Sequence, residues 1–191
     1  MNSEQFDQYR AEYPMSKSRM VKWHSMLYSE YPQQDYFDQE AVGKFLDSIN
    51  ASRVIEVGGW RGEMAAFGFA RSESIREWHN YEICREAASN PVCVDPRYSW
   101  HNRKLVNVPK CDTLICSHVL EHMTGGEVEA LLGSTNAKNL YVDCPNLMKE
   151  WDGTTCFHVL ELTWPKLNKL ILGAGFEDAG GASDLVRWYA R

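Results

Sequence analysis

Short apolar runs alternate with amphipathic segments along most of this chain. The runs have the length and composition of buried β-strands, and they lie at residues 54–57, 78–81, 92–94, 113–116, 140–143, 176–179 and 185–190. Segments with helical character follow several of them, at residues 62–71, 84–88, 126–132 and 164–174. This strand–helix alternation predicts an α/β fold with a mainly parallel sheet and helices on both faces.

The last predicted strand, residues 185–190, differs from the others in its connection. It follows the turn signal Gly180-Gly181 with little room for a helix in between. Parallel strands need a long crossover, whereas antiparallel strands can be joined by a tight turn. The final strand is therefore expected to be the second arm of an antiparallel hairpin.

The first 50 residues form a separate predicted region. Apolar and aromatic residues recur at helical spacing around Met20 and Trp23, and again around Val42 and Phe45. Two interpretations fit this pattern: a helical layer packed on the sheet, and a lid whose aromatic residues help to close a site. We expect an N-terminal helical extension at 1–50 and one Rossmann-like domain at 51–191.

Composition narrows the classes of function. The chain has 191 residues, 44% of them hydrophobic, which is enough for the core of one domain. Its formal net charge is −6, and no run of basic residues is present, so binding to a nucleic-acid backbone is not expected. The N-terminus lacks the features of a signal peptide, and no apolar run approaches the ~20 residues of a membrane helix. A cytoplasmic protein without membrane contact is expected.

The six cysteines contain no Cys-x-x-Cys pair, and several lie in strand-like apolar contexts. Buried free thiols in a reducing compartment explain this pattern best. We therefore predict neither disulfides nor a metal site.

The most informative stretch runs from Val54 to Gly62. It is an apolar strand that ends in Glu56 and a glycine-rich turn, and the segment after it can form a helix. Glycine allows positive φ and close approach of a ligand, and the free N–H groups of a helix start face that ligand. The stretch therefore predicts a cradle for a nucleotide-like molecule.

Polar residues at the ends of the later predicted strands extend this site. Glu82 lies twenty residues after Gly62, where an acid can accept hydrogen bonds from ribose hydroxyls, and Asp95 at the next strand end is placed for an adenine amino group. The fourth strand leads into Ser117-His118-Val119-Leu120-Glu121-His122. Because His118 and His122 are four apart, a helical turn would put both on one face.

Together, Glu56-Val57-Gly58 with Gly62, Glu82, the segment 117–122 and Gly173-Ala174-Gly175-Phe176-Glu177 resemble the class I S-adenosylmethionine-dependent methyltransferases. The most similar subgroup contains small-molecule enzymes with His-Val-Leu-Glu-His after the fourth strand. The resemblance covers roughly residues 53–190. It implies a seven-stranded sheet with an antiparallel last strand, and S-adenosylmethionine as cofactor.

The resemblance also implies positions for the cofactor. Its methionine part would lie against Glu56 and the glycine loop, its ribose at Glu82, its adenine at Asp95 and its sulfonium near Ser117 and His118. The residues assigned to cofactor binding are Glu56, Gly58, Gly59, Trp60, Gly62, Glu82, Asp95, Ser117 and His118. Trp60 departs from the family pattern, which has a glycine there. Either the loop bulges at Gly59, or the indole swings out over the site.

A hydroxyl acceptor benefits from a general base, for which histidine is suited at neutral pH. The sequence indicates His122 after the fourth strand and His158 after the fifth as catalytic residues. The expected reaction is methyl transfer to a hydroxyl or amine of a small molecule, such as a sugar or an aromatic ring. Two alternatives are a methyltransferase-like, nucleoside-binding subunit without activity and a nicotinamide-dependent oxidoreductase. The oxidoreductase is disfavoured because the loop lacks the Gly-x-Gly-x-x-Gly register.

Overall fold

The structure, a computed structural model, describes residues 37–85, 87, 91–144, 163–183 and 186–191. The predicted helix around Trp23 and the predicted catalytic residue His158 lie outside these ranges.

The described residues form one sheet of seven strands, with helices on both faces. The strands are β1 Arg53–Val57, β2 Glu77–Glu82, β3 Tyr98–Asn102, β4 Thr113–Ser117, β5 Asn139–Asp143, β6 Glu177–Gly181 and β7 Val186–Ala190. Their order across the sheet is β3-β2-β1-β4-β5-β7-β6. Strand β7 is antiparallel to both of its neighbours, whereas the pairs from β3 to β5 are parallel. The Rossmann-like fold and the antiparallel last strand are thus confirmed.

Four α-helices cover the sheet in the described residues. They are α1 Gln39–Ser48, α2 Glu63–Arg71, α3 Gly125–Ser134 and α4 Trp164–Gly173. The buried residues of α1 and α2 pack with one face of β1, β2, β4 and β5. Those of α3 and α4 pack with the other face. None of these helices has the length and hydropathy required to cross a membrane.

The helix starts follow from local sequence. The Asp38 side chain accepts a 2.9 Å hydrogen bond from the backbone N–H of Ala41 and so caps α1. Thr124 and Glu127 form a reciprocal capping box at the start of α3. Helix α2 begins differently, because its N-cap is Gly62 with φ 87°. The N-terminus of α2 is therefore joined to β1 by a left-handed glycine.

The predicted strand at 92–94 is wrong. Val94 is 86% exposed, and the third strand is Tyr98–Asn102, whose apolar positions are aromatic and partly buried. Asp95 consequently lies before β3 rather than at the end of a strand, two residues after Cys93, which lies beside Gly62 of the glycine loop. There it binds Arg97, which also donates a 2.9 Å hydrogen bond to the carbonyl of Ile75 just before β2. The basis for an adenine contact by Asp95 is lost.

The C-terminal hairpin is confirmed, with one difference in its turn. Gly180 and Gly181 are the last residues of β6 rather than the turn itself. The pairing with β7 shifts register between Asp178 and Gly180, and Gly180 has φ 140°. The glycine pair therefore belongs to a bulged strand end.

Candidate functional site

The loop between β1 and α2 has the backbone that its glycines predict. Gly58 has φ 75° and Gly62 has φ 87°, both in the left-handed region. A Cβ on Gly58 would lie 2.9 Å from the side chain of Val119, and one on Gly62 would lie 2.8 Å from Tyr98. Glycine is therefore required at both positions for conformation and for space.

Strand β2 fixes this loop through two buried side chains. Asn80 Oδ1 accepts from the N–H of Gly59 at 2.9 Å, and Asn80 Nδ2 donates to the carbonyl of Trp60 at 3.0 Å. Glu82 accepts from the N–H groups of Trp60 at 3.2 Å and Cys84 at 2.7 Å. Burial raises the pKa of Glu82, and these amide hydrogen bonds oppose that shift. Asn80 was not identified from sequence, since a single buried amide within a strand has no distinctive pattern.

Glu56 lies beneath the loop as a buried acid. Its Oε2 accepts a 2.8 Å hydrogen bond from Trp78 Nε1, and a Cβ on Gly59 would lie 2.2 Å from its carboxyl carbon. Burial raises the pKa of Glu56 to about 8, while the bond from Trp78 acts in the opposite direction. Glu56 is therefore largely protonated at neutral pH, although it lines the pocket.

Trp60 occupies the middle of the glycine loop with φ 44°. Its indole is buried and packs with Cys84 and Ala87, the segment that follows Glu82, and with the partly buried Trp100. The loop therefore tolerates tryptophan through a left-handed backbone, and the ring turns towards the carboxyl end of β2.

The end of β4 brings three polar residues together. His118 has φ 51°, which is unusual for a residue other than glycine, and its N–H donates to the Asp143 carbonyl at 2.8 Å. Its ring Nε2 lies 3.4 Å from Asp143 Oδ2, and the Ser117 hydroxyl lies at the same distance from that oxygen. Burial lowers the pKa of His118, but Asp143 and the nearby Glu121 more than offset this, so the pKa is raised.

The following turn buries a second acid. Glu121 belongs to a 3-10 helix, Leu120–His122, and accepts from the Cys144 thiol at 3.5 Å. Burial raises the pKa of Glu121 to about 7. The left-handed His118 precedes this helix and is not part of it. The expectation that His118 and His122 share one helical face is therefore wrong.

A small pocket of about 40 Å³ connects these elements. Its lining residues come from the segment just before α1, from β1, the glycine loop, α2 and the end of β4: Phe37, Glu56, Gly58, Gly59, Trp60, Glu63, Met64, Ser117 and His118. Most residues assigned from sequence thus come together. The lining does not include Gly62, Glu82, Asp95 or His122, although Glu82 accepts a hydrogen bond from the N–H of Trp60.

Besides Asn80, sequence reasoning also missed Asp143 and Phe37. The order of the strands carries the signal for Asp143, because an acid ending β5 lies beside the end of β4. Among the described residues, no group of three or more His, Cys, Asp or Glu side chains is arranged to hold a metal ion.

Comparison with known proteins gives a likeness in fold. No family model and no curated protein sequence matches the chain. Among solved structures, human N-acetylserotonin methyltransferase in complex with S-adenosylmethionine aligns with a TM-score of 0.63 at 13% identity. Another match is the methyltransferase CalO1 of calicheamicin biosynthesis, bound to S-adenosylhomocysteine, with a TM-score of 0.60 at 16% identity.

A third match is a Burkholderia thailandensis 1,6-didemethyltoxoflavin-N1-methyltransferase, with a TM-score of 0.60 at 15% identity. It is similar in length: the alignment covers 93% of this chain and 92% of that one. By contrast, the alignments cover 78% of this chain and 52% of CalO1, and 92% of this chain and 56% of the human enzyme. The chain thus spans about half the length of those two proteins. At these identities the comparisons establish the fold.

Proposed function

We propose that this chain is an S-adenosylmethionine-dependent methyltransferase that acts on a hydroxyl or amine of a small molecule. The main support is the position of the pocket, which lies between a glycine loop and the ends of β1 and β4 in a methyltransferase fold. In open parallel sheets, ligands bind at the carboxyl ends of the strands, which is where this pocket lies. The matched structures include enzymes with S-adenosylmethionine or S-adenosylhomocysteine bound, and one is a small-molecule N-methyltransferase.

The residues at the site fit the two ends of this cofactor. Glu56 and the loop from Gly58 would hold the methionine part, because the pocket already opens against them. Glu82 would bind the ribose. A carboxylate has about four acceptor positions, and the amides of Trp60 and Cys84 occupy two of those on Glu82.

The nucleoside part requires a change at Trp60. Ligand pockets for molecules of this class enclose roughly 300 Å³ or more, whereas this pocket encloses about 40 Å³. The indole of Trp60 packs against the segment beyond Glu82, where a nucleoside would lie. The cofactor would therefore displace the indole or stack on it.

The bound cofactor would supply an activated methyl group on sulfur. The protein's part is to bind, to orient and to exclude water. The glycine loop and Ser117 would fix the ligand, and Phe37 and Met64 would shield the reacting centre, since both line the pocket. His122 and His158 remain the predicted bases. Phe37 also supports the proposal that residues 1–50 help to cover the site.

Sugars and aromatic rings remain the proposed acceptors, in keeping with the proposed His-Val-Leu-Glu-His subgroup. We propose a reducing, cytoplasmic location, supported by five described cysteines that are free and buried.

Calorimetric titration with S-adenosylhomocysteine tests the cofactor site. Saturable binding to the wild type is expected, and Glu82→Gln should weaken it by about 1 kcal/mol or more through the lost acceptor oxygen. Glu40→Gln, an exposed acid on α1, is the matched control and should bind like the wild type. Absence of binding to the folded wild type would remove the cofactor from the proposal.

The second candidate function is a methyltransferase-like subunit without activity, for which the buried Trp60 is the specific observation. In that case, S-adenosylhomocysteine would bind only after Trp60→Gly. Binding to the wild type, followed by methyl transfer to any compound of an acceptor screen, would exclude this candidate.

A further inference from the structure

His118 and Asp143 form a pair at the edge of the pocket. His118 lines the pocket and keeps 41% of its side chain exposed, whereas only 6% of the Asp143 side chain is exposed. The backbone of the two residues is joined as well, because the His118 N–H donates to the Asp143 carbonyl. His118, at the end of β4, is thus held by Asp143, at the end of β5, through both its backbone and its side chain.

The pairing determines which ring nitrogen remains available. Nε2 lies 3.4 Å from Asp143 Oδ2, and a carboxylate can only accept. We therefore expect the neutral ring to carry its proton on Nε2, which leaves the lone pair on Nδ1. Within the described part of the chain, Nδ1 has no hydrogen-bond partner. The left-handed backbone of His118 is a local strain, of the kind that persists where the surrounding structure enforces it.

Other charged groups face this ring. Glu121 lies buried beneath it in the following turn, and Glu56 and Glu63 line the same pocket from β1 and α2. None of these acids is within ion-pair distance of His118 in the described residues. Asp143 is thus the group placed to orient it.

We propose that His118, in place of the predicted His122 or His158, is the general base for a hydroxyl acceptor, with Asp143 as its positioning residue; this rests on the proposed methyltransferase function. The hydroxyl proton passes to Nδ1 while the substrate oxygen forms a bond to the methyl carbon. The carbon–sulfur bond breaks, and its electron pair remains on sulfur. The imidazolium is stabilised by Asp143 and returns its proton to solvent at the exposed edge of the ring. The proposal adds a catalytic role for His118, beyond lining the cofactor pocket.

Nitrogen-15 NMR of histidine-labelled protein tests this directly. The signal of His118 is identified by its loss in His118→Gln, and its couplings report which nitrogen carries the proton. The proton is expected on Nε2, and Asp143→Asn should lower the pKa of the ring. Glu63→Gln removes an acid of the same pocket that does not touch His118, so it should leave the tautomer unchanged. Thermal unfolding confirms that each variant is folded.

A wild-type His118 ring that carries its proton on Nδ1 would overturn the proposal. Because this tautomer is measured in the wild type, the test holds even if the Asp143 variant does not fold. A ring that titrates identically in folded Asp143→Asn would overturn it too. In assays with phenols, alcohols and S-adenosylmethionine, His118→Gln should lower turnover by about 10²–10⁴-fold, the usual contribution of a general base; unchanged turnover would count against it. Absence of S-adenosylhomocysteine binding in the wild type would instead contradict the proposed function, whatever the tautomer.

Discussion

The indole of Trp78 donates a 2.8 Å hydrogen bond to the carboxyl group of Glu56, and both side chains are almost fully buried. The bond joins neighbouring strands β1 and β2 directly beneath the glycine loop. Gly68 of α2 packs on the same ring, since a Cβ there would lie 2.5 Å from the Trp78 indole. Glu56, which faces the pocket, is thus held in place by Trp78, a residue of the hydrophobic core.

The burial of Glu56 predicts a pH dependence of stability. Its pKa is raised from 4.5 to about 8, so the folded protein keeps a proton that the unfolded chain releases above pH 4.5. The contribution is fully present below pH 4.5 and is lost as the pH rises through 8, by about 1.4 kcal/mol for each pH unit between the two values. Urea unfolding between pH 5 and 8 should show this loss in the wild type but not in Glu56→Gln. The prediction would be contradicted if the free energy of unfolding depended on pH equally in the wild type and in Glu56→Gln. The control is Glu40→Gln, at an exposed acid, which should behave like the wild type.

The same acid predicts proton release when ligand binds. If the ammonium group of S-adenosylhomocysteine lies near Glu56, the carboxylate form becomes favoured, and up to about one proton is released at pH 7. Calorimetry in phosphate and in Tris, whose ionisation enthalpies differ, measures this number. Glu56→Gln should abolish the difference between the buffers. A wild type that already shows no buffer dependence would mean that Glu56 stays protonated in the complex.

Trp60→Gly should open the nucleoside end of the pocket. Glycine accepts φ 44° without strain, and the variant removes the indole that packs against Cys84 and Ala87. S-Adenosylhomocysteine is expected to bind roughly tenfold more tightly, a change of about 1.4 kcal/mol. The melting temperature should fall, because a buried aromatic ring is lost. Weaker binding, with Trp60→Phe close to wild type, would indicate that the indole stacks on the ligand.

Gly59→Ala should destabilise the protein by about 1–3 kcal/mol, because the new methyl group would overlap the Glu56 carboxyl group. Gly133→Ala is the contrast. That glycine is exposed on α3 with nothing near its Cβ position, so alanine should stabilise by about 0.5–1 kcal/mol. Denaturant unfolding of the two variants measures both values. A neutral Gly59→Ala would show that the loop can move away from Glu56.

The histidine pair on β2 and β3 predicts a loss of stability in acid. His79 Nδ1 lies 3.1 Å from His101 Nε2, and His79 Nε2 lies 2.8 Å from Glu77. Burial lowers the pKa of His101, and the charges of His79 and Arg103 lower it further. The contribution of His101 is therefore present above pH 6.5 and is lost as the pH falls below it.

Thermal unfolding between pH 7.5 and 5 should show less loss of stability in His101→Gln than in the wild type. Glu40→Gln, at an exposed acid outside the pair, serves as the control and should follow the wild type. If the stability of His101→Gln and of the wild type fell equally with pH, protonation of His101 would have no cost in the folded protein.

The sequence predicted the strands whose apolar residues form continuous runs, such as Val54–Val57 within β1. It failed for β3, because an edge strand with tyrosine, tryptophan and histidine has no such run, while the apolar triplet at 92–94 is a loop. For the site, polar residues at strand ends predicted Glu56 and Ser117, and both line the pocket. Asp143 was not assigned a role, because its contact with His118 depends on which strands are neighbours, and linear spacing does not contain that information.

The position of β7 has a consequence for how the sheet is completed during synthesis. Among the described strands, β6 pairs with β7 alone, and β7 lies between β6 and β5. As the nascent chain leaves the ribosome, β6 emerges first but has no strand to join until β7 follows. Strand β6 can therefore enter the sheet only through β7, so the native pairing of both strands depends on the C-terminal hairpin. A substitution that blocks β7 from pairing would remove two strands from the native sheet.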